Sequence, residues 1–201
     1  MLKKLLKIIL VLIILVAIGA GYLYFRLHNT IDNVLEAKSD WRSEVLEFPL
    51  IFAGDLEYNG EEHIRFAPGW GDTNSEDYFS YVFLWVLEDN PKLNATELEN
   101  IMNIYFDGLM NTGAITNFNF FKDIPETQSS IKQLSDHKYT GSIKMYDEFF
   151  ANDITTLNAN IQYEYCPAKK KHFVWFYLSP KDINHPIWKR LQEVHLNINC
   201  Q

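Results

Sequence analysis

The sequence predicts an α+β fold: one or more antiparallel sheets with two helices packed on one face, preceded by an N-terminal transmembrane helix. Three observations carry that expectation. Residues 8–25 hold no charged side chain. The stretches 139–145 and 157–165 alternate apolar and polar residues, the period of strands with one buried and one wet face. Two segments, one opening at Asn94 and one near Pro186, repeat apolar residues at helical spacing.

The apolar run comes first. Its 18 residues, rising ~1.5 Å each, span roughly 27 Å against a hydrocarbon core of ~30 Å. Tyr22 and Tyr24 fall where an interfacial aromatic belt belongs. Lys3, Lys4 and Lys7 precede the run, whereas Arg26 follows it with Asp32 and Glu36 nearby. The positive-inside rule then leaves the N-terminus cytoplasmic and the rest of the chain extracytoplasmic, as a single-pass protein of the cell membrane. A cleaved signal peptide, cut among Ala17, Gly19 and Ala20, is the rival reading. It fits less well because the run exceeds the ~7–15 residues of an h-region. No cysteine follows the run, which excludes a diacylglyceryl anchor. The expected organisation is residues 1–26 as cytoplasmic tip and anchor, 27–45 as a polar, partly helical stalk, and 46–201 as the extracytoplasmic domain.

Within the domain, Leu46 to Phe52 reads as extended, and 55–67 as a hairpin turning at Asn59-Gly60, since both positions accept positive φ. A loop from Pro68 to Asp77 leads into Tyr78–Leu87, apolar on both faces and therefore expected as a central strand covered on both sides. Asn94 is a candidate helix cap with Glu97 three residues on, and Gly113 a candidate terminator. Residues 114–137 read as irregular. Strands are expected at 139–145, 157–165 and 172–178, then a short helix with Pro186 near its start.

The net charge is −8, and residues 1–26 contribute four cations and no acid, so the remainder carries −12. Such a domain repels nucleic acid and anionic headgroups, so nucleic acid is excluded as a partner. Cys166 and Cys200 are the two cysteines. They are the disulfide candidate; two buried thiols are the competing reading, and a zinc site built on cysteines is excluded. No nucleotide-binding or cofactor fingerprint is present, and no cofactor is expected.

Candidate chemistry centres on the loop around Trp70. A tryptophan between Gly69 and Gly71 in a polar loop presents an aromatic surface to a ligand, or else tucks back to anchor the loop. Asp72-x-Asn74-x-Glu76 opens like a calcium loop. It then fails, because Asp77 stands at position six and Phe83 at position twelve, where glycine and glutamate belong. The candidate binding residues are Trp70, Asp72, Asp77 and Arg65; no catalytic or metal-ligating residue is assigned. None of the six histidines forms a metal or catalytic spacing, and Ser129-x-x-Lys132 lacks the companion elements of a serine acyl-enzyme site.

The stretch Ile64-Arg65-Phe66-Ala67-Pro68-Gly69-Trp70, followed by Tyr78-Phe79-Ser80-Tyr81-Val82-Phe83-Leu84-Trp85, resembles a group of uncharacterised bacterial exported proteins. The resemblance covers roughly residues 46–110 and implies a bacterial envelope location without implying an activity. The expected function is a non-enzymatic module that binds an envelope protein or cell-wall component. The alternative is an envelope hydrolase whose acids, among Asp55, Glu57, Glu61, Asp72 and Asp77, meet a histidine only in the fold.

Overall fold

The computed structural model describes residues 13, 16, 32–119 and 121–200. In chain order the elements are β1 (Leu35–Glu36), β2 (Arg42–Glu47), β3 (Gly60–Phe66), β4 (Tyr81–Leu87), α1 (Ala95–Thr116), β5 (Gln128–Ser135), β6 (Lys138–Asp147), β7 (Asp153–Cys166), β8 (Lys171–Ser179), α2 (Ile187–Gln192) and β9 (His195–Leu196). Seven strands form one sheet in the order β2-β3-β4-β8-β7-β6-β5, antiparallel at every pairing, and β1 pairs with β9 beside it.

Strand β4 reads Tyr-Val-Phe-Leu-Trp-Val-Leu and lies between β3 and β8. Side chains alternate across a strand, so it sends Tyr81, Phe83 and Trp85 to one face and Val82, Leu84 and Val86 to the other. Each face must then be covered. On the first, α1 lays down Leu98, Ile101, Met102, Tyr105, Phe106 and Met110, and Phe83 stacks on Phe176 of β8 at 4.4 Å. On the second, Ile187, Trp188 and Leu191 of α2 join Leu84, Phe173 and Trp175 in a separate core.

The two helices therefore lie on opposite faces of a mostly β structure with nine strands among the described residues. This corrects the expected α+β fold with both helices on one face. The reason is that β4 and β8 are apolar on both sides, and a single helical layer leaves one of those sides wet. The expected transmembrane segment lies outside the described residues apart from Ile13 and Val16. Among the described residues no helix is long and apolar enough to cross a membrane.

Further segments differ from expectation. The compact unit runs Asn33–Gln201; within the 27–45 segment expected as a partly helical stalk, 35–36 and 42–45 lie in strands, and the extended reading from Leu46 meets the end of β2. Asn59-Gly60 is no two-residue hairpin turn, because β2 and β3 are joined by residues 48–59. Gly60 is required for a different reason: φ is +139°, and a Cβ there would lie 2.1 Å from the Val86 carbonyl of β4. The irregular stretch 114–137 contains β5, an edge strand with one buried residue, Ile131. Helix α1 starts as expected, with the Asn94 side chain accepting from the Glu97 N–H at 3.0 Å, but continues past Gly113 to Thr116.

Cys166 and Cys200 are joined by a disulfide that ties the end of the chain to β7, with Cys166 fully buried in the α2-side core. One close approach has a direct test. A Cβ on Gly108 of α1 would sit 1.8 Å from the Phe52 carbonyl oxygen, a backbone atom that cannot swing away. Gly108→Ala, which in an exposed helix would add stability, is expected to remove about 1–3 kcal/mol here. Urea unfolding reads the difference, and a stabilised variant would show that α1 does not pack against the 48–59 segment this closely.

Candidate functional site

On the α1 face a cleft of about 440 Å³ opens between β2–β4, α1 and the loop that follows β6. The sheet side is Phe66 and Tyr81, the helix side Tyr105 and Leu109, and the far wall Phe149 and Phe150. Trp70 closes one end. Its indole lies 4.4 Å from Phe66, 4.8 Å edge-on from Phe150 and 6.3 Å from Tyr81, centroid to centroid. The rim carries the charge: the Arg42 guanidinium stands 4.7 Å from the Phe66 ring centroid and 5.2 Å from that of Trp70, with Glu44 3.8 Å away. Burial raises the Glu44 carboxyl above its usual range, with Arg42 opposing.

The sequence positions these groups by local means. Alternation puts Phe66, on β3, and Tyr81, on β4, directly opposite each other on the same face. The loop carrying Trp70 is pinned by Trp70 N–H to the Ala67 carbonyl at 2.9 Å and Phe79 N–H to the Trp70 carbonyl at 2.9 Å. The Phe149–Phe150 wall hangs from one buried carboxylate. Asp147 accepts from the N–H groups of Phe149, Phe150 and Ala151 at 3.0, 3.1 and 2.7 Å, and from the Tyr78 hydroxyl.

Two polar atoms in this apolar enclosure have no protein partner: Trp70 Nε1 and the Tyr81 hydroxyl, both buried. Tyr81 is 3 % exposed and lines the cleft. Buried donors are paired in the great majority of cases, and leaving one unpaired costs ~1–3 kcal/mol. Two residues that line the cleft thus each hold a buried donor without a protein partner. Beneath it lies Glu62, wholly buried, accepting from Trp85 Nε1 at 3.0 Å and from the Tyr105 hydroxyl at 2.7 Å. Burial pushes its carboxyl up to about 7, against the pull of those two hydrogen bonds, and Glu44 adds to the rise. Burial first, and the Glu62 charge second, hold Tyr81 and Tyr105 well above the usual phenol range, so both hydroxyls keep their protons.

Of the four candidate binding residues, the structure brings only Trp70 to the cleft. Arg65 is on the other face of β3, donating through Nε and Nη2 to the Leu35 carbonyl at 3.0 and 2.5 Å. Asp72 is exposed and accepts from the Asn74 N–H of its own turn at 2.9 Å. Asp77 forms a two-pronged ion pair with Arg190, at 2.5 and 2.9 Å, fastening the loop to α2. Asp55 and Glu57 are exposed on the 48–59 connection. Glu61 does meet a histidine: its Oε2 lies 3.0 Å from His63 Nε2, both on the α2 side of β3. That ring is wholly buried, its Nδ1 accepts from the Val34 N–H at 3.4 Å, and burial lowers its proton affinity against the opposing pull of Glu61. Both nitrogens are engaged, so the pair is a structural contact. No cluster of three or more metal-ligating side chains occurs among the described residues.

Tyr81, Tyr105, Glu62 and the Phe149–Phe150 pair were not legible as a site from sequence, because they come from four separate elements. The available signal was the shared parity of Tyr81, Phe83 and Trp85, with a tyrosine hydroxyl among residues that otherwise have only core duties. No protein-family model, curated protein or solved structure matches the chain.

Proposed function

We propose that the chain is a non-enzymatic binding module, held at a cell membrane by residues 8–25 and displayed on the extracytoplasmic side. Its cleft takes a small, largely apolar ligand bearing a hydrogen-bond acceptor. The observation that carries this reading is the pair of unpartnered donors, Trp70 Nε1 and the Tyr81 hydroxyl, inside an aromatic enclosure. The volume is within the range of small-molecule sites, and an apolar lining with few polar groups is their usual character. The Cys166–Cys200 disulfide supports an oxidising compartment, in keeping with export.

The test is thermal unfolding of the chain and of Tyr81→Phe against aliphatic and aromatic carboxylates, esters and amides. A ligand at 100 times its dissociation constant adds ~2.7 kcal/mol, which raises the midpoint of a domain this size by roughly 5–10 °C. Tyr81→Phe removes an orphaned hydroxyl, so without ligand it is expected to be neutral or up to about 1 kcal/mol more stable. With ligand it is expected to bind about tenfold more weakly. A variant that is destabilised without ligand, and a wild-type midpoint that no such compound moves, would together remove the basis for the cleft as a binding site.

A further inference from the structure

Strand β2 carries Arg42, Glu44 and Leu46 on one face, directly opposite Phe66, Ile64 and Glu62 of β3. All three line the cleft, so this edge strand presents it with a cation, an anion and an apolar side chain in turn. The Arg42 and Glu44 side chains are 60 % and 48 % exposed, which keeps both charges at the mouth. The guanidinium lies over the rings of Phe66 and Trp70. Among the described residues its one ionic contact is Glu44 at 3.8 Å, too long for a hydrogen bond, which leaves its N–H fork without a protein acceptor among them. The Glu44 carboxylate likewise accepts no hydrogen bond among the described residues. Burial raises it in spite of Arg42, so this one cation only partly offsets the cost of its charge. A surface pair of this length adds little to stability, which is therefore a weak reason for placing both charges at one mouth. Behind them, eight of the thirteen residues lining the cleft are aromatic, a wall suited to a flat ring more than to an aliphatic chain.

We propose that the ligand of the cleft is a free α-amino acid with a phenol side chain, its carboxylate on Arg42, its ammonium on Glu44 and its ring among the aromatic walls. This rests on the reading of the cleft as a small-molecule site. The paired charges select the head group. A guanidinium takes a carboxylate through two parallel N–H bonds, and a carboxylate takes an ammonium. An α-amino acid offers both groups on one carbon, to match two opposite charges 3.8 Å apart. A ligand with a single charge matches half of the pair: a bare carboxylate also meets Glu44, and a bare amine also meets Arg42. The floor sets the orientation. Glu62 lies buried beneath the cleft and Glu44 already adds to its rise, so a further anion deep inside is costly; the head group stays at the mouth and the ring goes in. A phenol oxygen then brings an acceptor into the enclosure that holds Trp70 Nε1 and the Tyr81 hydroxyl. The volume of about 440 Å³ suits one such ring with its head group.

The experiment is calorimetric titration of the full chain in detergent with four compounds that share one ring: L-tyrosine, tyramine, 3-(4-hydroxyphenyl)propionate and 4-ethylphenol. Tyramine lacks the carboxylate, the propionate lacks the ammonium, and 4-ethylphenol lacks both. L-tyrosine is expected to bind at least about tenfold more tightly than each of the others, the effect of one charge-assisted hydrogen bond. Arg42→Gln is expected to weaken L-tyrosine about tenfold while strengthening tyramine, because the repelling cation is gone. Glu44→Gln is expected to weaken L-tyrosine similarly while strengthening the propionate. Each variant thus gains one ligand, a pattern that misfolding cannot produce. Tyramine or the propionate binding the wild type as tightly as L-tyrosine overturns the amino-acid assignment, as does an equal loss of all four compounds in either variant. Binding of 4-ethylphenol alone overturns it too, and leaves the cleft standing as an apolar site. Binding of none of the four also overturns the assignment, and the cleft reading then falls only if the esters and amides of the thermal test fail as well.

Discussion

Glu62→Gln is expected to raise stability by about 3 kcal/mol at pH 8 and to leave it nearly unchanged at pH 4. Glu62 is wholly buried, and its carboxyl is pushed up to about 7 from an ordinary value of 4.5. The folded protein thus holds this proton more tightly than the unfolded chain does. The stability that comes from the protonated group is fully present below about pH 4.5. It is lost as the pH rises to about 7, after which both states are ionised and the loss is constant. A difference of 2.5 units at ~1.36 kcal/mol each amounts to about 3 kcal/mol. Glutamine mimics the protonated form at every pH: its carbonyl accepts from Trp85 Nε1, and its amide donates to the Tyr105 oxygen. Urea unfolding of both proteins from pH 4 to 8 isolates the effect, because carboxylates that do not interact with Glu62 cancel in the difference, and the Glu44 charge, which adds to the Glu62 rise, is part of what is read. A difference that stays flat across that range would show that Glu62 is ionised throughout or reached by water. Tyr105 also lines the cleft, so the same titration governs the hydrogen bond behind one of the cleft walls.

Cys200→Ser is expected to lower stability by about 3–4 kcal/mol. The bridge from Cys166 closes a loop of sequence separation 34, and the chain-entropy model assigns such a loop roughly that constraint on the unfolded state. The loop contains β8 and α2, so the loss falls mainly on the α2-side core, where Cys166 is fully buried. The thermal midpoint is expected to drop by about 10 °C. A reductant should shift the wild type by the same amount and leave the variant where it is. A wild-type midpoint unmoved by reductant would mean that packing of Ile187, Trp188 and Leu191 holds α2 in place unaided.

How far the fold was legible depended on whether a segment's own residues specified its surroundings. Strand β4, apolar at every position, and β7, alternating cleanly from Leu157 to Ile161, declare one covered strand and one half-wet strand. Asn94 with Glu97 declares a helix start. Strand β2 was missed because Arg42, Ser43, Glu44 and Glu47 are polar, and β5 because it has one buried residue. Edge strands need little hydrophobicity, and their pairing comes from a neighbour far away in sequence. The face taken by α2 was illegible for a different reason. A strand apolar on both sides states that two layers exist, not which helix supplies which. The site was less legible still. Trp70 stood out by composition, but the residues that make its surroundings a cleft are Tyr81 and Phe150, and only register and the Asp147 turn bring these together. Arg65, Asp72 and Asp77 were attractive as charges in a loop region, and each has instead been consumed by a structural partner.

The lacing of residues 33–36 determines how this unit carries mechanical tension. A pull applied at Asn33 meets the Asn33 amide, which donates to the carbonyls of Glu44 and Ile64, and then the Leu35 carbonyl, gripped twice by Arg65. Part of the load therefore goes directly into β3, next to the central strand. The rest crosses the β1–β9 ladder and runs through the Cys200–Cys166 bond into β7. Two load paths reach the sheet on either side of β4 and β8, and one of them ends in a covalent link. A pull at Asn33 thus enters the sheet at β3 and at β7, so the central pair β4 and β8 is loaded from both of its neighbours.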